Sequence, residues 1–226
     1  MTDKLINTAL KFVGYLEKKS NRDLYDFTKN AGYNNYTMFA QTYRNLTGQN
    51  LQGQPWCAMF VSCVVYEAFG NKAKELLGGN YFAYCPTGVL QFTRMNAFYK
   101  TPERGDIVFF KDSKGVACHV GIVYGIDKNN IYTVEGNTSS KAGVISNGGA
   151  VAKKCYKKTY GKILGYGRMK MAKEIKEITS INDIVWELAT RNIISDKALW
   201  LHKLETDQNA YWLAKKTVDY FRKAGV

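Results

Sequence analysis

A run of apolar residues with no polar face constrains this chain most. Residues 56–70 read WCAMFVSCVVYEAFG, and Glu67 is the one charge among them. A helix that is apolar on every side must be covered on every side, so the rest of the chain has to supply layers around it. Gly53, Gln54 and Pro55 form a turn ahead of it and Gly70 a stop behind it, which predicts a buried central helix entered at Trp56 and Cys57. With 226 residues the chain can build that core and still carry a second, smaller domain.

The covering layers are legible as changes of period. Leu5, Ile6, Ala9, Phe12, Val13 and Leu16 recur at helical spacing and predict an amphipathic helix over 3–18. A short helix is predicted over 37–44, inside a long polar stretch, and another over 87–99 after Pro86. Beyond these the pattern turns to short runs rich in Val, Ile, Tyr and Phe. DIVFFK at 106–111, ACHVGIVYGI at 117–126 and IYTVE at 131–135 are separated by Ser-Lys-Gly and Asp-Lys-Asn-Asn turn signals. They predict antiparallel strands, with 151–156 and 163–167 adding two more. Helices followed by a meander, without βαβ alternation, predict an α+β fold.

A charged linker, AKEIKEITS, follows Met171. Three further helices are predicted after it, capped by Ser180 or Asn182, by Ser195 and by Asp207. The expected organisation is therefore a domain over 1–168, a linker over 169–179 and a small helical domain over 180–226. Three short helices make a marginal core, so self-association or docking through them is expected.

Thirty-two Lys and Arg against 19 Asp and Glu leave a net charge of +13. That excess argues for a polyanionic partner: nucleic acid, anionic membrane or acidic wall polymer. Of it, +11 lies in residues 1–168 and +2 in the remainder. From Lys141 to Lys173 nine basic residues occur with no acidic one, for which a solvated face is the plain reading. No helix-turn-helix, RNP or zinc spacing accompanies them, so no nucleic-acid partner is expected. Asp3, Lys4, Lys11 and Glu17 interrupt the first twenty residues, and no apolar run is long enough to span a bilayer. Neither a signal peptide nor a membrane span is expected. The five cysteines, at 57, 63, 85, 118 and 155, show neither zinc spacing nor a disulfide ladder, and read as reduced thiols.

A thiol in the first turn of a helix meets the positive end of the macrodipole, where its proton leaves most easily. Cys57 has that position. His119 sits in ACHVGIVYG, where alternation puts Cys118 and Val120 on the opposite face. In VEGNTS, Glu135 and Asn137 share a face by the same period, and either is placed to accept from the far imidazole nitrogen and fix its tautomer. Taken singly, Cys57 reads as a core thiol and His119 as a hydrogen-bonded core histidine; together, in this order, they read as nucleophile, base and orienting groups. Cys63, Cys85, Cys118 and Cys155 are expected to be non-catalytic, and His202 to lie at a surface or between helices.

GQPWCAMFVS, GDIVFF, CHVGIVYG and YTVEGNTS, in that order, resemble the CHAP family of cysteine- and histidine-dependent amidohydrolases and peptidases. The resemblance implies a papain-like arrangement and amide cleavage in peptidoglycan. It makes Cys57 the nucleophile, His119 the general base and then acid, and Glu135 and Asn137 the orienting and polarising groups. Gln54 and Trp56 are candidates for stabilising the oxyanion or positioning substrate. Several relatives hold calcium before the nucleophile through aspartates, but no Asp or Glu occurs here between Asp26 and Glu67. A hard cation wants carboxylates, so neither metal nor cofactor is expected.

The related NlpC/P60 endopeptidases usually carry Asp before the nucleophile and His as third polar residue, which Trp56 and Glu135 or Asn137 match less well. The C-terminal segment is similar to helical tails of Gram-positive prophage endolysins, which implies wall targeting or oligomerisation. Trp186, Trp200, Tyr211, Trp212 and Tyr220 read first as core at helical spacing and second as platforms for sugar rings. The expectation is thus an endolysin, acting as N-acetylmuramoyl-L-alanine amidase or peptidoglycan endopeptidase. It would be made in the bacterial host cytoplasm and reach peptidoglycan and anionic wall polymers once the membrane is opened. The alternatives are an inactive wall-binding or virion structural protein, and an NlpC/P60-type endopeptidase.

Overall fold

The computed structural model describes residues 1–27, 34–139, 141, 143–144, 148–169, 180–190 and 193–224. The chain divides into two compact units, Met1–Lys170 and Met171–Val226.

In the first unit the helices are α1 (Thr2–Lys11), α2 (Met38–Thr47), α3 (Cys57–Phe69), the single turn α4 (Ala73–Leu76) and α5 (Cys85–Arg94). The strands are β1 (Phe98–Tyr99), β2 (Ile107–Lys111), β3 (Ala117–Ile126), β4 (Asn130–Thr138), β5 (Ala150–Lys157) and β6 (Ile163–Gly167). They form one antiparallel sheet in the order β1-β6-β2-β3-β4-β5. Strands β2 to β5 are the expected meander, and β6 returns to the free edge of β2. The α+β expectation holds.

The apolar helix is α3, buried without interruption from Cys57 to Val65. Helices α1 and α2 cover it on one side and strands β3 and β4 on the other. An aromatic cluster seals the first contact: Phe39 stacks on Trp56 with centroids 5.3 Å apart and meets Phe60 edge-on at 5.1 Å. Glycine permits the second. A Cβ at Gly136 in β4 would stand 2.5 Å from Phe60 Cβ, so only a residue without one lets the helix lie this close to the strand.

Helix α1 ends at Lys11 rather than at 18. The apolar spacing runs on, but Gly14 adopts a left-handed φ of +96° and reverses the chain. The backbone then pairs with the start of β5 through Gly14 N to Val151 O at 2.9 Å and Glu17 N to Gly149 O at 2.8 Å. The helix expected over 87–99 begins earlier, at Cys85, because Pro86 is accommodated in the first turn, where its missing N–H would have had no partner. It also ends earlier: Asn96, at φ +50°, turns the chain, and Phe98–Tyr99 becomes the short strand paired with β6.

The basic run is not wholly a solvated face. Lys154 is buried, and its ammonium donates to Ser139 O at 2.9 Å and to Lys141 O. Lys170 and Lys173 lie outside the described residues, as does most of the 169–179 linker; Met169 itself belongs to the first unit's core.

The second unit comprises α6 (Ile181–Thr190), α7 (Lys197–Thr206) and α8 (Gln208–Ala224) around Ile184, Val185, Leu188, Ile194, Leu204, Ala214 and Val218. Asp196, not Ser195, caps α7 by accepting from Leu199 N at 3.0 Å. Asp207 opens α8, accepting from Asn209 N and Ala210 N. Trp200 and Tyr211 pack against this cluster, whereas Trp212 and Tyr220 are 51% and 67% exposed. The Trp186 side chain lies outside the described residues. Among the described residues no helix is long and apolar enough to cross a membrane.

Candidate active site

Cys57 is the first residue of α3, where the peptide N–H groups of the opening turn have no partner within the helix. It lines a cleft of about 1070 Å³ together with residues that include Gln54, Pro55, Tyr81, Cys85 and Cys118. His119 comes from β3, paired in register with Phe110 of β2 and fully buried. Its Nε2 donates to Glu135 Oε2 at 2.9 Å. The imidazole's remaining nitrogen, Nδ1, is buried and has no hydrogen-bond partner among the described residues. That leaves Nδ1 to exchange a proton with Cys57.

The carboxylate of Glu135 is held from three sides. Besides His119, Thr133 donates to Oε1 at 2.5 Å and the Tyr156 hydroxyl to Oε2 at 3.2 Å. Room for it comes from Gly121, its cross-strand partner on β3, where a Cβ would stand 2.5 Å from Glu135 Cγ. Thr133, Tyr156 and Gly121 were not singled out from the sequence. The period-2 rule puts Thr133 on the face of Glu135, and this was the available signal for it.

The charges of Cys57 and His119 support each other. The Cys57 thiol is held well below the usual thiol range, first by the Cys85 hydrogen bond and then by His119, against the opposing effect of burial. Burial alone would depress the His119 imidazolium, but Cys57 and Glu135 outweigh it and push the imidazole up to about 10. Both shifts favour thiolate at Cys57 and imidazolium at His119, the charge state in which a thiol is most reactive.

Glu135 and Asn137 separate. Strand β4 has an irregular register after Glu135, and Asn137 adopts φ +53°. Its Oδ1 accepts from Gly149 N at 3.4 Å and its carbonyl from Gly148 N at 2.9 Å, which holds the approach to β5. Among the described residues the hydrogen bonds of His119 include Glu135 and not Asn137. Gln54 lines the cleft, as its candidacy requires. Trp56 does not. It is fully buried, and its indole N–H donates to Glu17 Oε2 at 3.0 Å, so it has no surface to offer a substrate.

Cys63 is buried with its thiol on Phe39 O at 3.2 Å, and burial pushes its pKa up. Cys155 and His202 are exposed. Cys118 points away from His119's face by strand alternation, yet it lines the cleft. Cys85 departs most from expectation: its sulfur stands 3.8 Å from that of Cys57.

Comparison with known proteins gives one family match, over part of the chain. No curated protein matches the chain. Among solved structures, one described as "The crystal structure of Ly7917" is 11% identical with a TM-score of 0.44, over 75% of this chain and 62% of that one. This chain thus spans less than two thirds of that protein's length. Residues 49–137 match the model of the CHAP domain, a stretch that contains Cys57, His119, Glu135 and Asn137. That match covers less than half of the chain and is a similarity of residues 49–137 to CHAP domains.

Proposed function

We propose that this chain is a peptidoglycan hydrolase of the endolysin type, with a catalytic domain over 1–168 and a helical tail over 180–226 that binds the wall or self-associates. CHAP domains are typically cysteine- and histidine-dependent hydrolases of peptidoglycan amide bonds. The observation that carries the reading for this chain is the buried relay from Cys57 through His119 to Glu135, opening into a cleft.

The Cys57 thiolate attacks the carbonyl carbon of a wall amide, and the developing oxyanion is met by the Cys57 backbone N–H at the start of α3. Gln54, which lines the cleft, supplies the second donor in this reading. Imidazolium at His119 protonates the departing amine, leaving a thioester on Cys57. Neutral His119 then takes a proton from water, which hydrolyses the thioester. Glu135 keeps the ring in one tautomer and stabilises its charged form, and Thr133 and Tyr156 keep Glu135 in place.

The scissile bond in this reading is either the one between muramic acid and L-alanine or a peptide bond of the stem or cross-bridge, in a Gram-positive wall. A net +11 on residues 1–168 supports attraction to anionic wall polymers, weakening as salt rises. The exposed Trp212 and Tyr220 support sugar stacking by the tail. Mass spectrometry of the fragments released from purified Gram-positive walls tests the proposal. A new amine at L-alanine identifies the amidase and one in the stem or cross-bridge the endopeptidase, whereas walls that release no new amine would sink the hydrolase reading.

A further inference from the structure

Two thiols meet in the lining of the cleft, and the mechanism uses only one. Cys57 and Cys85 are each the first residue of a helix, α3 and α5, and both line the cleft. Their sulfurs are 3.8 Å apart. A disulfide requires about 2.05 Å, so the sulfurs have to close by roughly 1.8 Å. All five cysteines are free.

We propose that Cys57 and Cys85 form a reversible disulfide that switches the enzyme off under oxidising conditions. The oxidant is of the peroxide class, small enough to enter the cleft. The Cys57 thiolate attacks one peroxide oxygen; the O–O bond breaks, and the departing hydroxide takes a proton from the His119 imidazolium to leave as water. Cys57 is then a sulfenic acid. Cys85 attacks its sulfur, the S–O bond breaks, and hydroxide leaves with the Cys85 proton as a second water. Two thiols lose two electrons in all, one peroxide gains them, and one disulfide and two waters result. A dithiol reductant reverses the change by thiol–disulfide exchange, returning both thiols.

The two thiols divide the roles. Cys57 is the one favoured as thiolate and so attacks peroxide first, while the hydrogen bond to Cys57, burial and the Cys57 charge favour the protonated form of Cys85 until the sulfenic acid forms. Cys85 also guards the nucleophile: a sulfenic acid with a thiol in contact closes to a disulfide instead of advancing to the sulfinic acid, which dithiols cannot reduce. The loss of activity rests on Cys57 being the nucleophile proposed above, whereas the disulfide itself does not.

The test uses the intact chain. Folded protein is treated with hydrogen peroxide, free thiols are blocked by alkylation after denaturation, and the peptides are mapped by mass spectrometry. The expected result is a Cys57–Cys85 linkage with Cys63, Cys118 and Cys155 alkylated, complete loss of wall lysis, and recovery of both thiols and lysis with dithiothreitol. In Cys85→Ala the fraction of the variant's own starting activity recovered by dithiothreitol should fall to near zero, with Cys57 found as sulfinic acid. An unmodified Cys57, a Cys57–Cys118 linkage, or direct passage to sulfinic acid in the native chain would overturn the proposal. A reversible Cys57–Cys85 linkage in a chain that never lyses walls would instead uphold the disulfide and reject the hydrolase.

Discussion

Met1–Lys170 buries His119, Glu135, Thr133, Asn137 and Lys154 alongside its apolar core, whereas the buried side chains described in Met171–Val226 are Ile, Val, Leu and Ala. Burying an ion pair costs several kcal/mol per charge before partners repay it, and apolar replacements often do better. A fold that needed only stability would resemble the second unit. The first unit instead surrounds one carboxylate with three hydrogen bonds, removes a Cβ at Gly121 to fit it, and leaves His119 Nδ1 without a partner among the described residues. Such an arrangement is what proton transfer requires. It also underlies the proposal that the second unit, whose described residues hold no such arrangement, is a targeting or association module.

The contrast breaks first at His119. In His119→Ala, amide release from purified walls should fall by about 10²- to 10⁴-fold while the fold persists; a rate near wild type would reduce the buried relay to a structural device. Next in size is Trp56→Ala. Emptying the position between Phe39 and Glu17 should cost about 3–5 kcal/mol in denaturant unfolding of the first unit, with the second unit's helices unaffected. A loss of wall affinity without loss of stability would restore Trp56 as a substrate contact.

A subtler change is expected in Glu135→Gln. His119 is raised from 6.5 to about 10 in the fold, so the stability gained from its charged form is complete below about 6.5 and is lost as pH rises through about 10. The same proton goes to the leaving amine, so the rate should fall over that alkaline range. Removing the Glu135 charge should move this limb toward lower pH, as followed in a pH–rate profile; an unmoved limb would detach Glu135 from the imidazole. The smallest effect is predicted for Trp212→Ala. Stability should change by no more than about 0.5 kcal/mol, while sedimentation of the intact chain with walls should weaken. Unchanged sedimentation would leave the tail with association alone.

Cys57 and His119 were legible because each sits at a chemically special place that short patterns report: a thiol after a glycine-proline turn, a histidine in a β-branched run. The layer order was legible for the same reason, since the change from helical to alternating period survives in a single sequence. Choosing between Glu135 and Asn137 was beyond the alternation rule, because the strand irregularity after Glu135 breaks the rule between them. Helix α1 was read too long because Phe12, Val13 and Leu16 keep their apolar character after Gly14 turns the backbone, now serving an extended segment. Trp56 beside Cys57 looked like a cleft residue, but one position before a helix start is enough to reverse a side chain into the core. Cys85 carried no signal of its own. Its contact with Cys57 exists only because two helix starts 28 residues apart converge on one cleft.

The central claim is that Cys57 performs covalent chemistry on the wall, and one comparison tests it most directly. Equal amounts of folded wild-type chain and Cys57→Ala are incubated with purified Gram-positive peptidoglycan, and newly released amines are quantified. The account predicts steady release by the wild type and background from Cys57→Ala, with both sedimenting equally with the walls. Equal release by the two proteins would contradict it.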